Sequence, residues 1–261
     1  MATSRGVIAS SSMRLGAPLL PREHGVWAMI IAPWLLALLV AGTAARWQHG
    51  LLLGAALLGY LAIAALLSYL RTAPARREAR ALWWAAIYAV LGGALGAPLV
   101  LAQPLLLVAV GGAALALPVE LFYLRRRDER ALANGVASIV ALTLAGPAAL
   151  YLASPRFDLR LLVLWLGCLC FFGLSLLYVR SRIRARHSRA FAALTWIAHL
   201  ALPAALLAVA PALLAVALLP SLLRLAATYG RTLSPKAIGL LELANVAAFV
   251  AIAAWALRAP I

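Results

Sequence analysis

Three charged side chains lie inside apolar stretches of the chain, where an ionised group is costly and usually serves binding or transfer. Each lies five to seven residues from one end of its stretch: Glu120, Arg224 and Glu242. In a helix these offsets correspond to depths of about 7 to 10 Å. Because the three charges share a depth, we expect them to meet around a polar cavity open at that end. The alternative is a buried Arg224–Glu242 ion pair that only ties neighbouring helices together.

A Tyr-x-Arg motif recurs at the ends of four apolar stretches, at intervals of 54, 55 and 51 residues. Its arginines are Arg71, Arg125, Arg180 and Arg231. Guanidinium groups can hold a phosphate through paired hydrogen bonds, so the motif predicts four similar helical hairpins that share an anion-facing role. Tyr and Arg also anchor ordinary membrane helices at the headgroup level, and that interpretation stays open.

The other motifs that carry chemistry are missing from the sequence. It contains no Gly-rich phosphate loop with a Lys, no His-rich zinc spacing and no nucleophile elbow. We therefore predict no metal and no cofactor, and we leave open whether the protein is an enzyme.

Nine membrane-spanning helices are predicted to position these residues. The 261 residues are 66% hydrophobic and 11% charged, a composition that excludes a soluble domain. Apolar stretches long enough to cross a bilayer occur at 26–45, 50–70, 81–102, 104–124, 131–153, 159–179, 190–209, 211–230 and 236–257. Only Gln103-Pro104 and Ala210-Pro211 separate two of the pairs, so a count of eight stays open. The sequence predicts an all-α polytopic bundle over 21–261, after a disordered cytoplasmic tail at 1–20.

The distribution of basic residues predicts an orientation. Of the 23 Lys and Arg, all but four fall at the ends that share a side with the N-terminus. Positive residues stay in the cytoplasm, so we expect the N-terminus and the polar ends inside. The net charge of +16 is split into short clusters between apolar stretches, which favours anionic lipid over nucleic acid as a partner. The four exceptions are Arg46, Arg156, Arg160 and Arg258.

The segment Pro21-Arg22-Glu23-His24-Gly25-Val26-Trp27-Ala28-Met29, followed by Pro33, resembles the opening of the YwiC-like family of bacterial membrane proteins. Glu129-Arg130 and the segment Ser234-Pro235-Lys236 to Glu242 are also similar to that family. The resemblance implies a multi-pass protein of the bacterial inner membrane and implies no particular activity. It directs attention to the residues at its motif positions, which are Arg22, Glu23, His24, Lys236 and Glu242.

A fainter resemblance is to the UbiA-type prenyltransferases, which have nine crossings and an active site at the loops after helices two and six. Those enzymes hold Mg²⁺ with Asp-rich motifs in both loops. Here the first loop has only Glu78 as an acid and the second loop has none. The resemblance therefore implies a UbiA-like arrangement without the metal chemistry.

Three functions compete at this point. The first is a cytoplasm-facing, Arg-rich cavity that binds an isoprenoid phosphate or lipid headgroup, with Glu120, Glu242 and His24 orienting the ligand or moving protons. The second is a secondary transporter of a small anion or proton-coupled solute, with Glu120, Arg224 and Glu242 in its path. The third is a structural or assembly protein whose arginines serve topology and lipid attraction alone.

Overall fold

The computed structural model describes residues 16–21, 24–73 and 79–258, and within them it is helical without strands. Most helical segments begin and end within a few residues of the predicted spans, and the all-α bundle is confirmed. The helices are α1 (His24–Ala41), α2 (Gln48–Arg71), α3 (Ala79–Ala102), α4 (Leu106–Ala114), α5 (Ala116–Arg125), α6 (Leu132–Thr143), α7 (Ala145–Ala153), α8 (Leu159–Ile183), α9 (Arg189–Leu206), α10 (Ala212–Val216), α11 (Leu219–Ala227) and α12 (Pro235–Arg258).

Eight helical segments of the described chain are long and apolar enough to cross a membrane. Two of them consist of consecutive helices in line, α4 with α5 and α6 with α7. The predicted span at 211–230 differs, because its helical part is the shorter stretch Ala212–Ala227, formed by α10 and α11. At 1.5 Å per residue this stretch is about 24 Å long, less than the roughly 30 Å of a hydrocarbon core.

Proline positions explain the interruptions. A proline cannot donate a hydrogen bond to the carbonyl four residues before it, and its ring crowds that carbonyl. Three helices end four residues before a proline, in the pairs Ala114 and Pro118, Thr143 and Pro147, and Val216 and Pro220. Pro33, Pro98 and Pro203 lie inside uninterrupted helices.

Side-chain contacts show that four helices end on the same side of the bundle, here called the basic end. Arg71 at the end of α2 pairs with Glu129 in the α5–α6 loop. Arg180 near the end of α8 donates to the carbonyl of Arg130 in the same loop, at 2.7 Å. Two residues earlier on α8, the hydroxyl of Tyr178 donates to that of Thr228, directly after α11, at 3.2 Å. The ends of α2, α5, α8 and α11 therefore meet.

The opposite end is tied by its own contacts, and these fix the direction of the last helix. Arg258, at the end of α12, donates to the carbonyl of Leu39 near the end of α1, at 2.9 Å. Helices α1 and α12 therefore run in the same direction. The His49 ring contacts the carbonyl of Ala149 at 3.1 Å, which joins the start of α2 to the middle of α7.

The core of the bundle surrounds α8, which packs against α1, α6, α7, α9, α11 and α12. Phe171 of α8 stacks on Phe249 of α12 with ring centroids 4.2 Å apart. Gly146 permits the close crossing of α7 and α1, because a Cβ there would lie 2.9 Å from Cβ of Pro33. By contrast, α3 packs mainly on α2, and this α2–α3 hairpin stands at the margin of the bundle.

Candidate functional site

A cavity of about 1380 Å³ lies between the α2–α3 hairpin and helices α4 to α6, with α1 and α8 contributing to its wall. Pockets for drug-sized ligands usually measure about 300 to 1,000 Å³, so this cavity has room for a larger molecule. Its lining is divided by depth. Charged and polar side chains gather at the basic end, and apolar side chains cover the remainder.

The polar part of the cavity is here called the polar mouth. Four arginines and two glutamates line it, so its net formal charge is +2. An excess of guanidinium groups at a headgroup depth favours an anion over a cation. The polar mouth comprises Arg71, Arg130, Arg180, Arg184, Glu120 and Glu129, together with Ser68, Asn134 and Ser138.

Arg71 of the polar mouth is paired with a carboxylate. Arg71 Nε donates to Glu129 Oε1 at 2.9 Å, and Nη2 of the same guanidinium contacts Oε2. Arg180 instead donates to a backbone carbonyl, that of Arg130. Among the described residues, neither Arg130 nor Arg180 forms an ion pair. These two side chains are therefore the strongest candidates to contact an anionic guest.

Helix α6 supplies a polar wall facing the mouth. The hydroxyl of Ser138 lies 3.1 Å from Glu120 Oε1 and 3.1 Å from the carbonyl of Asn134, so it can donate to either. Asn134 Nδ2 donates to the carbonyl of Glu129 at 2.8 Å. The amide oxygen of Asn134 is buried without a hydrogen-bond partner among the described residues. This oxygen is therefore an acceptor in the cavity wall that no described protein group uses.

The apolar part of the cavity, here called the apolar arm, extends almost through the bundle. Along α2 the lining runs from Arg71 at the basic end to Leu52, about 28 Å at the helical rise. This length approaches the thickness of the hydrocarbon core. The arm is lined by Leu52, Gly59, Gly93, Ala97, Leu107 and Val110, among other apolar residues.

The segment just before α1 also borders the cavity. Leu19, Leu20 and Pro21 are among its lining residues. The segment lies against α3, since Tyr88 donates to the carbonyl of Leu19 at 3.3 Å and Arg80 contacts that of Ala17. The last residues of the predicted tail therefore have defined contacts, whereas residues 1–15 lie outside the described residues.

The structure brings three of the predicted site residues together in the polar mouth, namely Arg71, Glu120 and Arg180. Of the other two motif arginines, Arg125 and Arg231 are exposed and are not among the lining residues. The four Tyr-x-Arg arginines therefore do not share one cavity. Lys236 is exposed at the start of α12 and does not line the cavity. Arg22 and Glu23 lie outside the described residues, and of His24 only the backbone is described.

The predicted meeting of Glu120, Arg224 and Glu242 is corrected by the structure. Glu120 lines the cavity, whereas Arg224 and Glu242 form an ion pair between α11 and α12 that is not part of its lining. The reason is that α8 separates the two places. Leu176 and Arg180 of α8 face the cavity, while other positions of α8 face the ion pair.

The Arg224–Glu242 ion pair is buried among side chains of neighbouring helices, as expected of a structural ion pair. Ser175 donates to the second carboxylate oxygen of Glu242, and the Arg224 guanidinium lies 3.9 Å from the ring centroid of Tyr178. The side chains of Arg224 and Glu242 are only 5% and 17% exposed. Nε and Nη2 of Arg224 lack hydrogen-bond partners among the described residues. The pair thus joins α8, α11 and α12 inside the bundle.

Six residues of the polar mouth were not among the predicted site residues: Glu129, Arg130, Arg184, Ser68, Asn134 and Ser138. Glu129 and Arg130 carried a signal, since both belong to a segment that resembles the YwiC-like family. Ser138 lies one helical turn from Asn134, which gave no distinctive pattern. As for metals, the described residues contain no group of three His, Cys, Asp or Glu arranged to hold an ion.

The fold and the apolar helices define a polytopic α-helical membrane protein. Its sequence matches the family described as "YwiC-like protein" over residues 20–150. The chain belongs to the YwiC-like family, because it is also 34% identical to YwiC of Bacillus subtilis over 242 residues, which are 90% of this chain and 96% of that protein.

A second relative covers less of the chain. A protein of Haemophilus influenzae is 30% identical over 131 residues, which are 50% of this chain and 55% of that protein. No solved structure matches the chain significantly. The UbiA-like arrangement therefore stays a prediction.

Proposed function

We propose that the protein binds a membrane-resident anionic amphiphile, such as an isoprenoid phosphate or an anionic lipid, with its headgroup in the polar mouth and its tail in the apolar arm. The observation that carries this proposal is one continuous cavity whose lining is net positive at the polar mouth and apolar elsewhere. A small soluble anion would use only the mouth and leave the arm unfilled. An uncharged lipid would leave the excess of arginine without a counter-charge.

The headgroup contacts follow from the pairing within the mouth. Arg130 and Arg180 have no carboxylate partner among the described residues, so a phosphate can take both without breaking an ion pair. Arg71 is held by Glu129, whose carboxylate offsets its charge. A hydrogen bond to a charged group contributes about 1.5 to 3 kcal/mol, so each direct arginine contact is worth about tenfold or more in affinity.

The location and orientation belong to the same proposal. The protein resides in the bacterial cytoplasmic membrane, with its N-terminus and the polar mouth on the cytoplasmic side. Support comes from the basic loops at the mouth and from the positive-inside rule. A headgroup made in the cytoplasm would then reach the mouth directly.

The test is to purify the protein in mild detergent and measure bound lipid phosphorus per protein, with identification of the lipids by mass spectrometry. Arg130→Ala and Arg180→Ala should each lower retention about tenfold. Arg125→Ala is the matched control, because Arg125 is exposed at the end of α5 and does not line the cavity. Equal retention by all three variants and the unsubstituted protein would refute the proposal.

A further inference from the structure

On the side of the apolar arm that faces away from the bundle, helices α3 and α4 do not pack tightly against each other. Gly93 and Ala97 of α3 and Leu107 and Val110 of α4 all line the cavity, yet all four are exposed. Leu107 and Val110 are 55% and 57% exposed. Helix α3 packs mainly on α2 and only slightly on α4. A slot therefore runs between α3 and α4.

The depth of this slot places it within the hydrocarbon layer. Gly93 lies about 21 Å along α3 from Ala79 at the basic end, and Val110 lies about 22 Å from Arg125 along α4 and α5. Both edges are thus far from the polar mouth and well inside a core of about 30 Å. What meets the cavity at this opening is lipid hydrocarbon, not water.

Helix packing does not require Gly59 and Gly93 of the apolar arm to be small, unlike two neighbouring glycines. A Cβ on Gly92 would lie 3.1 Å from Cβ of Leu58, and one on Gly54 would lie 2.8 Å from Leu95, so those glycines permit α2 and α3 to touch. By contrast, a Cβ on Gly59 or Gly93 would have no atom within 4 Å. Gly59 and Gly93 both line the cavity, so their effect is to widen the arm.

Building on the proposed function, we infer that the slot between α3 and α4 is a lateral opening through which the ligand's tail enters from the bilayer and extends back into it. The ligand class is thereby narrowed to amphiphiles with tails longer than the arm. The arm sets no upper limit on tail length, because the tail leaves through the slot. The width left by Gly59 and Gly93 decides whether a long tail can follow this route.

The experiment compares the tails of the lipids that co-purify with three variants. Gly59→Leu and Gly93→Leu fill the arm without a backbone clash, and Gly93→Ala fills it less. Gly111→Leu is the control, because Gly111 lies exposed on α4, has no atom within 4 Å of an added Cβ and does not line the cavity. Gel filtration verifies that each variant is folded, and mass spectrometry measures headgroup and tail length.

We expect Gly59→Leu and Gly93→Leu to lower the retained long-tailed species about tenfold, the loss that corresponds to displacing about two buried methylene groups. Gly93→Ala should have a smaller effect and Gly111→Leu none. Tail lengths unchanged in both leucine variants, with retention still dependent on Arg130 and Arg180, would overturn the lateral opening alone. Retention that does not depend on those arginines would overturn the proposed function, and this inference with it.

Discussion

The described residues contain two arginine–glutamate ion pairs, one buried and one largely exposed to solvent. This difference in burial supports a quantitative prediction. In the Arg224–Glu242 pair the side chains are 5% and 17% exposed, and in the Arg71–Glu129 pair they are 55% and 31% exposed. Removing one partner of a buried pair strands the other charge and costs about 3 to 5 kcal/mol. An exposed pair is worth about 0 to 1 kcal/mol, since water solvates the remaining charge.

Glu242→Gln should therefore lower the free energy of unfolding by about 3 kcal/mol. The lower end of the range applies because the Gln carbonyl can still accept from Arg224, whose Nε and Nη2 already lack partners among the described residues. Glu129→Gln, the matched control, should cost less than about 1 kcal/mol. Titration of the purified protein with a denaturing detergent, followed by far-UV circular dichroism, measures both.

Removing both charges of the buried pair tests the cause. The double variant Arg224→Met with Glu242→Met leaves no uncompensated charge, so it should be more stable than Glu242→Gln alone. Because the pair is separated from the cavity by α8, the folded fraction of Glu242→Gln should retain as much lipid as the unsubstituted protein. The reasoning is refuted if Glu242→Gln is as mild as Glu129→Gln, or if the double variant is less stable than Glu242→Gln alone.

Three further predictions concern packing, capping and topology. Gly146→Ala should destabilise the protein by about 1 to 3 kcal/mol, because the new Cβ would lie 2.7 Å from Leu164 and 2.9 Å from Pro33. Gly173→Ala is the control and should not destabilise it, because a Cβ there would have no atom within 4 Å. Thermal unfolding of the two variants compares them. Asp158→Ala should lower the free energy of unfolding by about 0.5 to 2 kcal/mol, because Asp158 caps α8 by accepting hydrogen bonds from the backbone amides of Arg160 and Leu161. An unchanged thermal unfolding curve would contradict this prediction. The cysteine of an Arg186→Cys variant should react with a membrane-impermeant maleimide only after the cells are opened. That of an Arg156→Cys variant should react in intact spheroplasts, and the reverse result would contradict the proposed orientation.

The length and position of the helices could be predicted from the sequence because a bilayer imposes them. Charged residues and prolines bound apolar stretches, and the helices end within a few residues of those limits. The break at Thr143 could be read from Pro147 by the same rule that explains the breaks before Pro118 and Pro220. Pro33, Pro98 and Pro203 leave their helices uninterrupted, and the sequence alone does not distinguish them from the prolines that interrupt a helix.

The candidate site was predicted only in part, for a geometric reason. Sequence spacing gives the position of a residue along its helix, and it predicted similar depths for Glu120 and Glu242. It does not give the order in which helices surround one another. The sequence therefore predicted Glu120 on α5 and Glu242 on α12 to be neighbours, although α8 separates the cavity that Glu120 lines from the Arg224–Glu242 ion pair. Arg71 and Arg180 line the cavity, whereas Arg125 and Arg231 do not, so a position near the end of a helix does not by itself decide which arginines line it.

The measurement that tests the central claim most directly is a cryo-electron microscopy reconstruction of the protein in nanodiscs made from its own membrane, with no ligand added. The account predicts an elongated density with its head against Arg130 and Arg180 and its tail beside Gly59, leaving between α3 and α4. A cavity closed by collapse of α2–α3 onto α5, or lipid density confined to the outer surface of the bundle, would contradict it.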